Sequence, residues 1–536
     1  MDSLSIHRET FDRRTSARHG STPRPNATPS QCPSRGSSSA KCLRYALTRS
    51  LCRQVTIESK IESISNDVLL NVFRYFLDVS PQDWPRLVHT CRKWRQIVLA
   101  SPRDLHLRVF CTYGTPVRKN LDCWPALPIV VQYGGLPALD LPTPEDEDNI
   151  MAALRQFDRV VSISLTVTTS FLERLSVIKG EFSRLEDLVL LSQDTGRRPI
   201  LPSAFWSGPC LAPCRTQLRS LHLTRIAVLK LPRLLDSSRN LVNLQLHEIL
   251  YPSDFSIEAL RNALSVMIQL RSLSLHFLPL RVTSFATSAV TLPSTNRVTL
   301  PSLARFAFRG MINPLKEFVA GIDAPHLRDI ELTFLREFSD ISVLVEFIDR
   351  IKMHKSPRRA DILSSRHDFT ISLMQPEVPA CLRLKVSCEP LNVQLSSMAQ
   401  IYIQFNFSVL LLKVEDLRIS ATQPLRVMDG PYIDQLVEVV NFIGVKCLRV
   451  SGSLSSNIVR ALELRDRQRL GQRESVLPAL HKLYIPQPEA RHASLREAVE
   501  SFMISRQLSG HPIAVEYEKV LHISGLVCGS GAGTEA

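Results

Sequence analysis

The sequence predicts an α/β fold, built mainly of short strands that recur along the chain with helices between them. A short group of helices near the N-terminus precedes this repeated part. Two observations lead to this fold class: a frame of three apolar residues, L-x-x-L-x-L, returns many times between residues 185 and 485, and an apolar helical pattern covers residues 66–98. Recurrence of one frame along a chain is the sequence signature of stacked structural repeats.

Four copies of the frame are clear, and they begin at Leu185, Leu218, Leu241 and Leu270. Looser copies keep apolar residues at the same three positions; they are Leu303/Phe306/Phe308, Leu327/Ile330/Leu332, Val414/Leu417/Ile419, Val445/Leu448/Val450 and Leu480/Leu483/Ile485. Successive copies from 185 to 327 begin 23 to 33 residues apart. These intervals leave room for a helix between strands, such as one over residues 256–268.

The frame is typical of a leucine-rich-repeat solenoid, a horseshoe in which each repeat supplies a strand and a helix. Alternate residues of a strand share a face, so the last two apolar residues of each frame point into the core. The Asn or Cys expected three residues after the frame is replaced by Ile226, Ile249 and Leu278, and we therefore expect an irregular horseshoe over residues 105–525. Between 333 and 413 the frame is weak, but FTISLM, LRLKVS and AQIYIQFNF alternate like strands, and we expect the repeats to persist there.

The N-terminal pattern predicts two helices within residues 60–104. Ser65 and Asn66 are good N-caps for a helix over 66–77, and Ser80 followed by Pro81 is a typical start for a second helix that ends before Pro102. The apolar stripe of the second helix comprises Trp84, Leu87, Val88, Cys91, Trp94 and Val98, which places Cys91 in the core. So small a group buries too little surface to be reliably stable by itself, and it needs a partner. We expect these helices at one end of the repeats, and residues 494–520 at the other, to cover the terminal repeats.

The same N-terminal residues resemble an F-box. Residues 64–73 and 87–97 follow its order, and Cys91-Arg92-Lys93-Trp94-Arg95 resembles its closing signature of Cys, two basic residues, Trp and Arg. The usual Leu-Pro pair is Ile64-Ser65 here, which keeps the apolar residue and lacks the proline. Residues 101–134 are similar to the segment that follows the F-box in a large set of proteins from mushroom-forming fungi.

The resemblance implies the substrate-recognition subunit of a Skp-cullin-F-box ubiquitin ligase, acting in ubiquitin-dependent degradation. A Skp-type adaptor, and through it cullin, would bind the N-terminal helices, and a target protein would bind the repeats. The adaptor-binding residues that it implies are Ile64, Ser65, Val68, Leu69, Val72, Phe73, Leu87 and Trp94. Such a subunit needs no active site, because it raises the effective concentration of a target lysine near the conjugating enzyme.

The candidate target surface consists of residues that stand between the apolar positions of the frames and face outward. They are Arg219, His222, Asn243, Gln245, Ser272, Ser274, Arg328 and Glu331. This mixture of basic, polar and acidic groups favours a polar protein epitope over a nucleic acid or a small apolar ligand.

The net charge of +14 is concentrated near the N-terminus. Residues 1–56 carry ten basic and three acidic residues, a surplus of seven, and are rich in Ser, Thr and Pro, which predicts a disordered tail. Residues 526–536 are a second flexible tail. A mitochondrial transit peptide or a nucleic-acid-binding tail are the alternatives for residues 1–56. For the whole chain, the alternatives are a scaffold acting outside a ligase and a basic nucleic-acid-associated protein.

Other motifs point away from a membrane protein and from an enzyme. No run of about 18 apolar residues is present, and the twelve cysteines are scattered, which favours the cytoplasm or the nucleus. Cys210 and Cys214 are a possible half of a zinc site, but no second Cys/His pair follows at a suitable spacing. Neither a Gly-rich phosphate loop nor HExxH or G-x-S-x-G occurs, so we expect no enzyme activity, cofactor or metal.

Overall fold

The structure of the chain is a computed structural model that describes residues 63–518 with internal gaps. The residues within this range that are not described are 114, 125, 134–141, 176, 179, 181, 195–199, 201–216, 228–234, 236–237, 251–255, 279–296, 336–340, 352–356, 366–367, 376–377, 388–411, 422–442, 452–454, 470–476 and 488–492. Both expected tails, the Cys210/Cys214 pair and the segment AQIYIQFNF (399–407) therefore lie outside the described residues.

The described part of the chain contains eleven helices and eighteen strands. The helices are α1 (Asn66–Val79), α2 (Trp84–Thr90), α3 (Arg92–Ala100), α4 (Val117–Cys123), α5 (Pro144–Leu154), α6 (Thr169–Leu175), α7 (Ile257–Leu264), α8 (Ile312–Ala320), α9 (Ser342–Ile351), α10 (Ser455–Arg469) and α11 (Ala493–Leu508). The strands are β1 (Val109–Cys111), β2 (Ile129–Tyr133), β3 (Val160–Val167), β4 (Asp187–Ser192), β5 (Ser220–Thr224), β6 (Asn243–Leu250), β7 (Ser272–Leu278), β8 (Val298–Thr299), β9 (Arg305–Gly310), β10 (Ile322–Asp323), β11 (Asp329–Phe334), β12 (Arg359–Ser364), β13 (Asp368–Gln375), β14 (Val378–Ser387), β15 (Asp416–Ala421), β16 (Cys447–Ser451), β17 (Lys482–Pro486) and β18 (Ala514–Glu518).

Sixteen of these strands form one large sheet, and the other two, β8 and β10, form a small parallel pair. The order in the sheet is β1-β2-β3-β4-β5-β6-β7-β9-β11-β14-β13-β12-β15-β16-β17-β18. Thirteen of its fifteen neighbouring pairs are parallel. The predicted α/β class is thus confirmed as a mixed fold with a large, mostly parallel sheet.

The apolar frames read from the sequence form the core beside this sheet. All three apolar residues of every frame, in both the clear and the looser copies, are buried. Neighbouring strands are in register, so that Leu188 pairs with Leu221, Leu221 with Leu244, Leu244 with Leu273 and Leu273 with Phe306. Equivalent apolar side chains therefore stack in columns from strand to strand, and each strand covers the apolar edge of its neighbour.

Helices occupy several of the intervals between frames, as the spacing predicts. The helix expected over 256–268 is α7, which begins after Ser256; the side chain of Ser256 accepts a hydrogen bond of 3.1 Å from the backbone N of Ala259. Its inward residues include Ile257, Leu260 and Leu264, all buried. The N-cap and the apolar spacing were both visible in the sequence, which is why this element was predictable.

The expectation that the repeats persist from 333 to 413 does not hold at β13 in the described part of this region. FTISLM and LRLKVS do form strands, in β13 and β14, but β13 is antiparallel to both of its neighbours, β12 and β14. Only residues 365–367 separate β12 from β13, and only 376–377 separate β13 from β14. Connections this short allow hairpins but no crossover, because parallel neighbours need about a dozen linking residues or more.

The N-terminal helices differ from the prediction in one respect, because the second helix is divided. A short 3-10 turn over Pro81–Asp83 leads into α2, and the extended backbone of Cys91 (φ −156°, ψ 171°) separates α2 from α3. The Sγ of Cys91 accepts a hydrogen bond of 3.5 Å from the backbone N of Trp94, so this residue caps α3. Cys91 is therefore half-buried at a helix start rather than in the core.

The two ends of the sheet are formed by strands next to helices. At one end β1 follows the N-terminal helices, and at the other β18 follows α11. The helices α10 and α11 pack against each other, and the guanidinium of Arg506 is buried between them, 3.5 Å from the carboxylate of Asp466. That these helices cover the terminal strands of the sheet stays a prediction.

Candidate protein-binding surfaces

One face of α1 is apolar and exposed to solvent. Val68, Val72, Tyr75 and Val79 have exposed fractions of 52%, 53%, 76% and 72%, and Ile64 precedes them at 37%. Their spacing of four, three and four residues along the helix places them in one stripe. We call Ile64, Val68, Val72, Tyr75 and Val79 the α1 face. An exposed apolar stripe of this kind makes the α1 face a candidate interaction site.

The opposite face of α1 is built into the core. Leu69, Phe73 and Leu77 are buried there, and Leu87 of α2 is buried as well. The side chains of Leu69, Phe73 and Leu87 contact the protein's own core, so they lie behind the α1 face rather than on it, and their part in adaptor binding stays a prediction. Apolar residues lie on both sides of α1, and the pattern alone did not show which side faces inward.

The remaining N-terminal residues hold α1 in place. The ring of Trp94 meets that of Phe73 edge to face, with centroids 4.8 Å apart. Lys93 Nζ donates a hydrogen bond of 2.7 Å to the carbonyl of Ile64, and the Ser65 hydroxyl accepts one of 3.4 Å from the backbone N of Val68. Of the eight predicted adaptor residues, Ile64, Val68 and Val72 are on the α1 face, whereas Ser65 and Trp94 support the helix.

Two residues of the α1 face, Tyr75 and Val79, were not predicted. They follow Val68 and Val72 at the same helical spacing, so extending the stripe by one turn would have found them.

A second surface lies on the side of the sheet opposite the apolar columns. Six of the eight predicted target residues alternate with the buried frame residues along their strands and lie on this side: Glu331 is exposed, and His222, Asn243, Gln245, Ser272 and Ser274 are half-buried. The register brings several of them together in rows, since His222 pairs with Gln245 and Gln245 with Ser274, while Asn243 pairs with Ser272. Arg219 and Arg328 are exposed and come immediately before β5 and β11.

Three histidines stack across this surface, and two of them, His247 and His276, were not predicted. The rings of His247 and His276 are parallel, with centroids 3.8 Å apart, and His222 meets His247 edge to face at 4.8 Å. His247 Nε2 shares a hydrogen bond of 2.9 Å with Ser274 Oγ, and His222 Nε2 shares one of 2.9 Å with Thr224 Oγ1. Both missed histidines directly follow the third apolar residue of a frame, a position that also faces outward.

Burial keeps these imidazoles uncharged at neutral pH. It lowers the pKa of His222, and together with the neighbouring histidines it lowers the pKa of His247 to about 3. Burial and the guanidinium of Arg309 lower the pKa of His276 to about 4. The register shifts directly after Leu246, and Glu248 has a left-handed backbone (φ 56°), as does Arg225 (φ 60°). A bulge at His247 and Glu248 therefore interrupts the pairing of β6 with β7 beside the rings, and the pairing resumes at Ile249.

We call the side of the sheet opposite the apolar columns the strand side. Charges on it are distributed unevenly. Towards the C-terminus many cations are paired, as in Arg383–Glu331 at 3.4 Å, Lys446–Glu415 at 2.9 Å and Lys482–Glu516 at 3.1 Å. Near β5, β6, β7 and β9, by contrast, Arg219, Arg271, Arg305 and Arg309 are exposed, and none has an ion-pair partner among the residues that the structure describes. The centre of this side of the sheet is therefore basic.

Within the described ranges, no group of three or more His, Cys, Asp or Glu residues is arranged to hold a metal ion. The buried thiol of Cys111 is held protonated, because burial raises its pKa to about 12. In the same part of the chain, none of the helices has both the length and the apolar character needed to cross a bilayer.

Comparison with known proteins gives no family assignment. No protein-family model matches the chain, and no curated protein matches it. Among solved structures, the chain is similar to a structural-genomics target from Bacteroides fragilis at 11% identity, over 76% of this chain and 74% of that one, with a TM-score of 0.20. A likeness at this level carries no argument about fold or function.

Proposed function

We propose that this chain is an F-box protein, the substrate-recognition subunit of a Skp-cullin-F-box ubiquitin ligase. The observation that carries the proposal is the α1 face, an exposed apolar stripe within the segment that resembles an F-box. A Skp-type adaptor would cover this face, and cullin would be bound through the adaptor. The chain itself would supply binding and no catalytic group.

The α1 face is suited to a protein partner by its length and by the contacts that hold it rigid. A helix of fourteen residues is about 21 Å long, so the stripe runs the length of a short docking groove. Each apolar side chain that a partner covers contributes on the order of 1 kcal/mol or more. Phe73 and Trp94 pack behind the helix, and Lys93 holds Ile64 at its start, so little order has to be gained on binding.

The repeated part would be an irregular leucine-rich-repeat solenoid, and its strand side would bind the target. In-register columns such as Leu221, Leu244 and Leu273 support this proposal, because each frame is buried by equivalent residues of its neighbours. The antiparallel strand β13 accounts for the irregularity. Target and adaptor would then be held on one chain, which places the target near the conjugating enzyme.

The adaptor interaction is tested by a pull-down of a purified Skp-type adaptor with the full chain. The variant is Val72→Asp/Tyr75→Asp. Both residues are exposed, so the fold should be kept. Adaptor binding should fall at least ~10-fold, because the new carboxylates lose their water in the interface. Ile504→Asp is the matched control, since Ile504 is a helix residue of α11 that is 60% exposed, and its adaptor binding should equal that of the wild type.

Two results would contradict the proposal: no adaptor binding by the wild-type chain, or equal binding by all three proteins. A separate affinity purification from cells, analysed by mass spectrometry, distinguishes a ligase subunit from a scaffold. Recovery of cullin together with the adaptor supports the ligase, and recovery of the adaptor alone indicates a scaffold acting outside it.

A further inference from the structure

The centre of the strand side carries arginines that form no ion pair with any residue that the structure describes. We call the outward residues of β5, β6, β7 and β9, together with Arg219 and Arg271 immediately before β5 and β7 and Arg225 immediately after β5, the central strand face. Its charged residues in the described part of the chain are Arg219, Arg225, Arg271, Arg305, Arg309 and Glu248. Glu248 forms an ion pair of 3.0 Å with Arg225, so four cations remain available.

Acidic residues border this face on both sides. Asp187 on β4 lies beyond Arg219, and Asp329 on β11 pairs in register with Arg305. Asp187 and Arg219 interact electrostatically, as do Asp329 and Arg305, but neither pair is close enough to be an ion pair. Between these two acidic residues the positive region spans four strands, a width of about 15 Å at the usual strand spacing, and the exposed Arg328 lies just beyond it, before β11.

The floor between the arginines is polar and uncharged. It consists of hydroxyl and amide side chains and of the stacked imidazoles, namely Ser220, Asn243, Gln245, Ser272, Ser274, His222, His247 and His276. Such groups donate and accept hydrogen bonds without repelling a polypeptide backbone. A width of about 15 Å corresponds to about five residues of an extended chain.

All four available cations are arginines, and this favours carboxylates as their partners. A guanidinium offers paired N–H donors in the planar geometry that a carboxylate accepts, whereas an ammonium group does not. The described floor has no exposed ring for a base to stack on, since the imidazoles stack on one another, and a site of four charges is small for a nucleic acid. Charge complementarity therefore points to an acidic peptide.

We infer that the central strand face binds an acidic segment of a partner protein, about four to six residues long, through Arg271, Arg305 and Arg309. This inference rests on the proposed function in treating the strand side as the target surface. The peptide interaction is measured without adaptor, so a failure here and a failure of adaptor binding are observed separately.

The test is the fluorescence anisotropy of a labelled peptide of about six glutamates, titrated with the full chain at low salt. We expect binding that weakens as salt rises and that is absent for matched glutamine and lysine peptides. Arg271→Gln/Arg305→Gln/Arg309→Gln should weaken binding ~10-fold or more. The control Arg118→Gln/Arg239→Gln/Arg496→Gln removes the same charge from exposed positions elsewhere and should change affinity less than ~2-fold.

Equal weakening by the two triple variants would show non-specific attraction to net charge and would overturn the inference, as would unchanged binding in both. A single-stranded oligonucleotide is measured in parallel; tighter binding of it than of the glutamate peptide, with loss in the first triple variant, would identify a nucleic-acid surface instead. The three single variants are measured too, and an additive loss among them upholds the site even if the triple variant folds poorly.

Discussion

The imidazole rings of His247 and His276 lie face to face, with centroids 3.8 Å apart and planes 8° apart. Two protonated rings cannot stack at this distance without strong repulsion, so the arrangement requires that at least one ring is neutral. His222 completes the group from β5. The groups that face it from the same and neighbouring strands are Thr224, Arg225, Glu248, Ser274 and Arg309.

We predict that this stack makes the fold less stable as pH falls from about 6.5 towards 4. The unfolded chain takes up protons on these histidines near pH 6.5, whereas the folded pKa values are about 3 for His247 and about 4 for His276. The unfolded state therefore binds more protons in this window, and acid favours unfolding. At about pH 5, the lowered pKa of each of these two imidazoles should reduce the free energy of unfolding by about 1 to 2 kcal/mol.

The measurement compares urea unfolding midpoints at pH 7 and pH 5 for the wild type, for His247→Gln and for His326→Gln. Glutamine at 247 removes one titrating group and keeps a polar side chain near Ser274, so its midpoint should depend less on pH. His326 is exposed, and its replacement should leave the pH dependence as in the wild type. A pH dependence that is the same in all three proteins would refute the prediction.

The contact between His247 and His276 could not be predicted from the sequence. Alternation within a strand placed His222, Gln245 and Ser274 on the outward side, because it is a local property of neighbouring residues. His247 and His276 come from different frames, and their contact depends on the register between β6 and β7, which shifts after Leu246. No pattern within one frame contains that information.

The sequence pattern also could not show which apolar face of α1 is buried. Val68 and Leu69 are adjacent apolar residues, and so are Val72 and Phe73, so the helix has apolar character over more than one side. The structure buries the larger member of each pair and exposes the valines. Phe73 packs against Trp94, which lies more than twenty positions away in the chain, and no pattern within the helix contains that contact.

We predict that removing one partner of the buried ion pair between α10 and α11 destabilises the fold more than removing both partners. Arg506 and Asp466 are both buried, and a second nitrogen of Arg506 donates to the carbonyls of Leu477 and Leu480 at 3.2 and 3.4 Å. Asp466→Ala would leave a buried cation with less compensation, at a cost of about 3 to 5 kcal/mol. Asp466→Leu/Arg506→Met, which removes both charges, should cost less than the single change.

Thermal unfolding of these variants provides the measurement, with Arg467→Met as the control. Arg467 forms an ion pair of 2.7 Å with Glu463 on α10 but is 57% exposed, so its loss should cost less than about 1 kcal/mol. If Asp466→Ala unfolded at the same temperature as Arg467→Met, the buried pair would contribute no more than a surface one.

The last prediction concerns Trp84, which joins the N-terminal helices to the sheet. Its indole Nε1 donates a hydrogen bond of 2.7 Å to the carbonyl of Arg108, next to β1, and its ring meets that of Trp124 edge to face at 4.6 Å. Trp84→Phe should remove the hydrogen bond to this part-buried carbonyl, at a cost of about 1 kcal/mol, and Trp84→Leu should cost more because the ring contact is lost too. Hydrogen exchange should then show faster opening of α2 and β1 with little change in β15 to β17, since stacked strands depend mainly on their neighbours.

Tyr75→Phe, an exposed aromatic change on α1, is the control and should exchange like the wild type. Uniformly faster exchange throughout the sheet would show that Trp84 stabilises the whole chain rather than this junction, and unchanged exchange in α2 would show that the junction is held by other contacts.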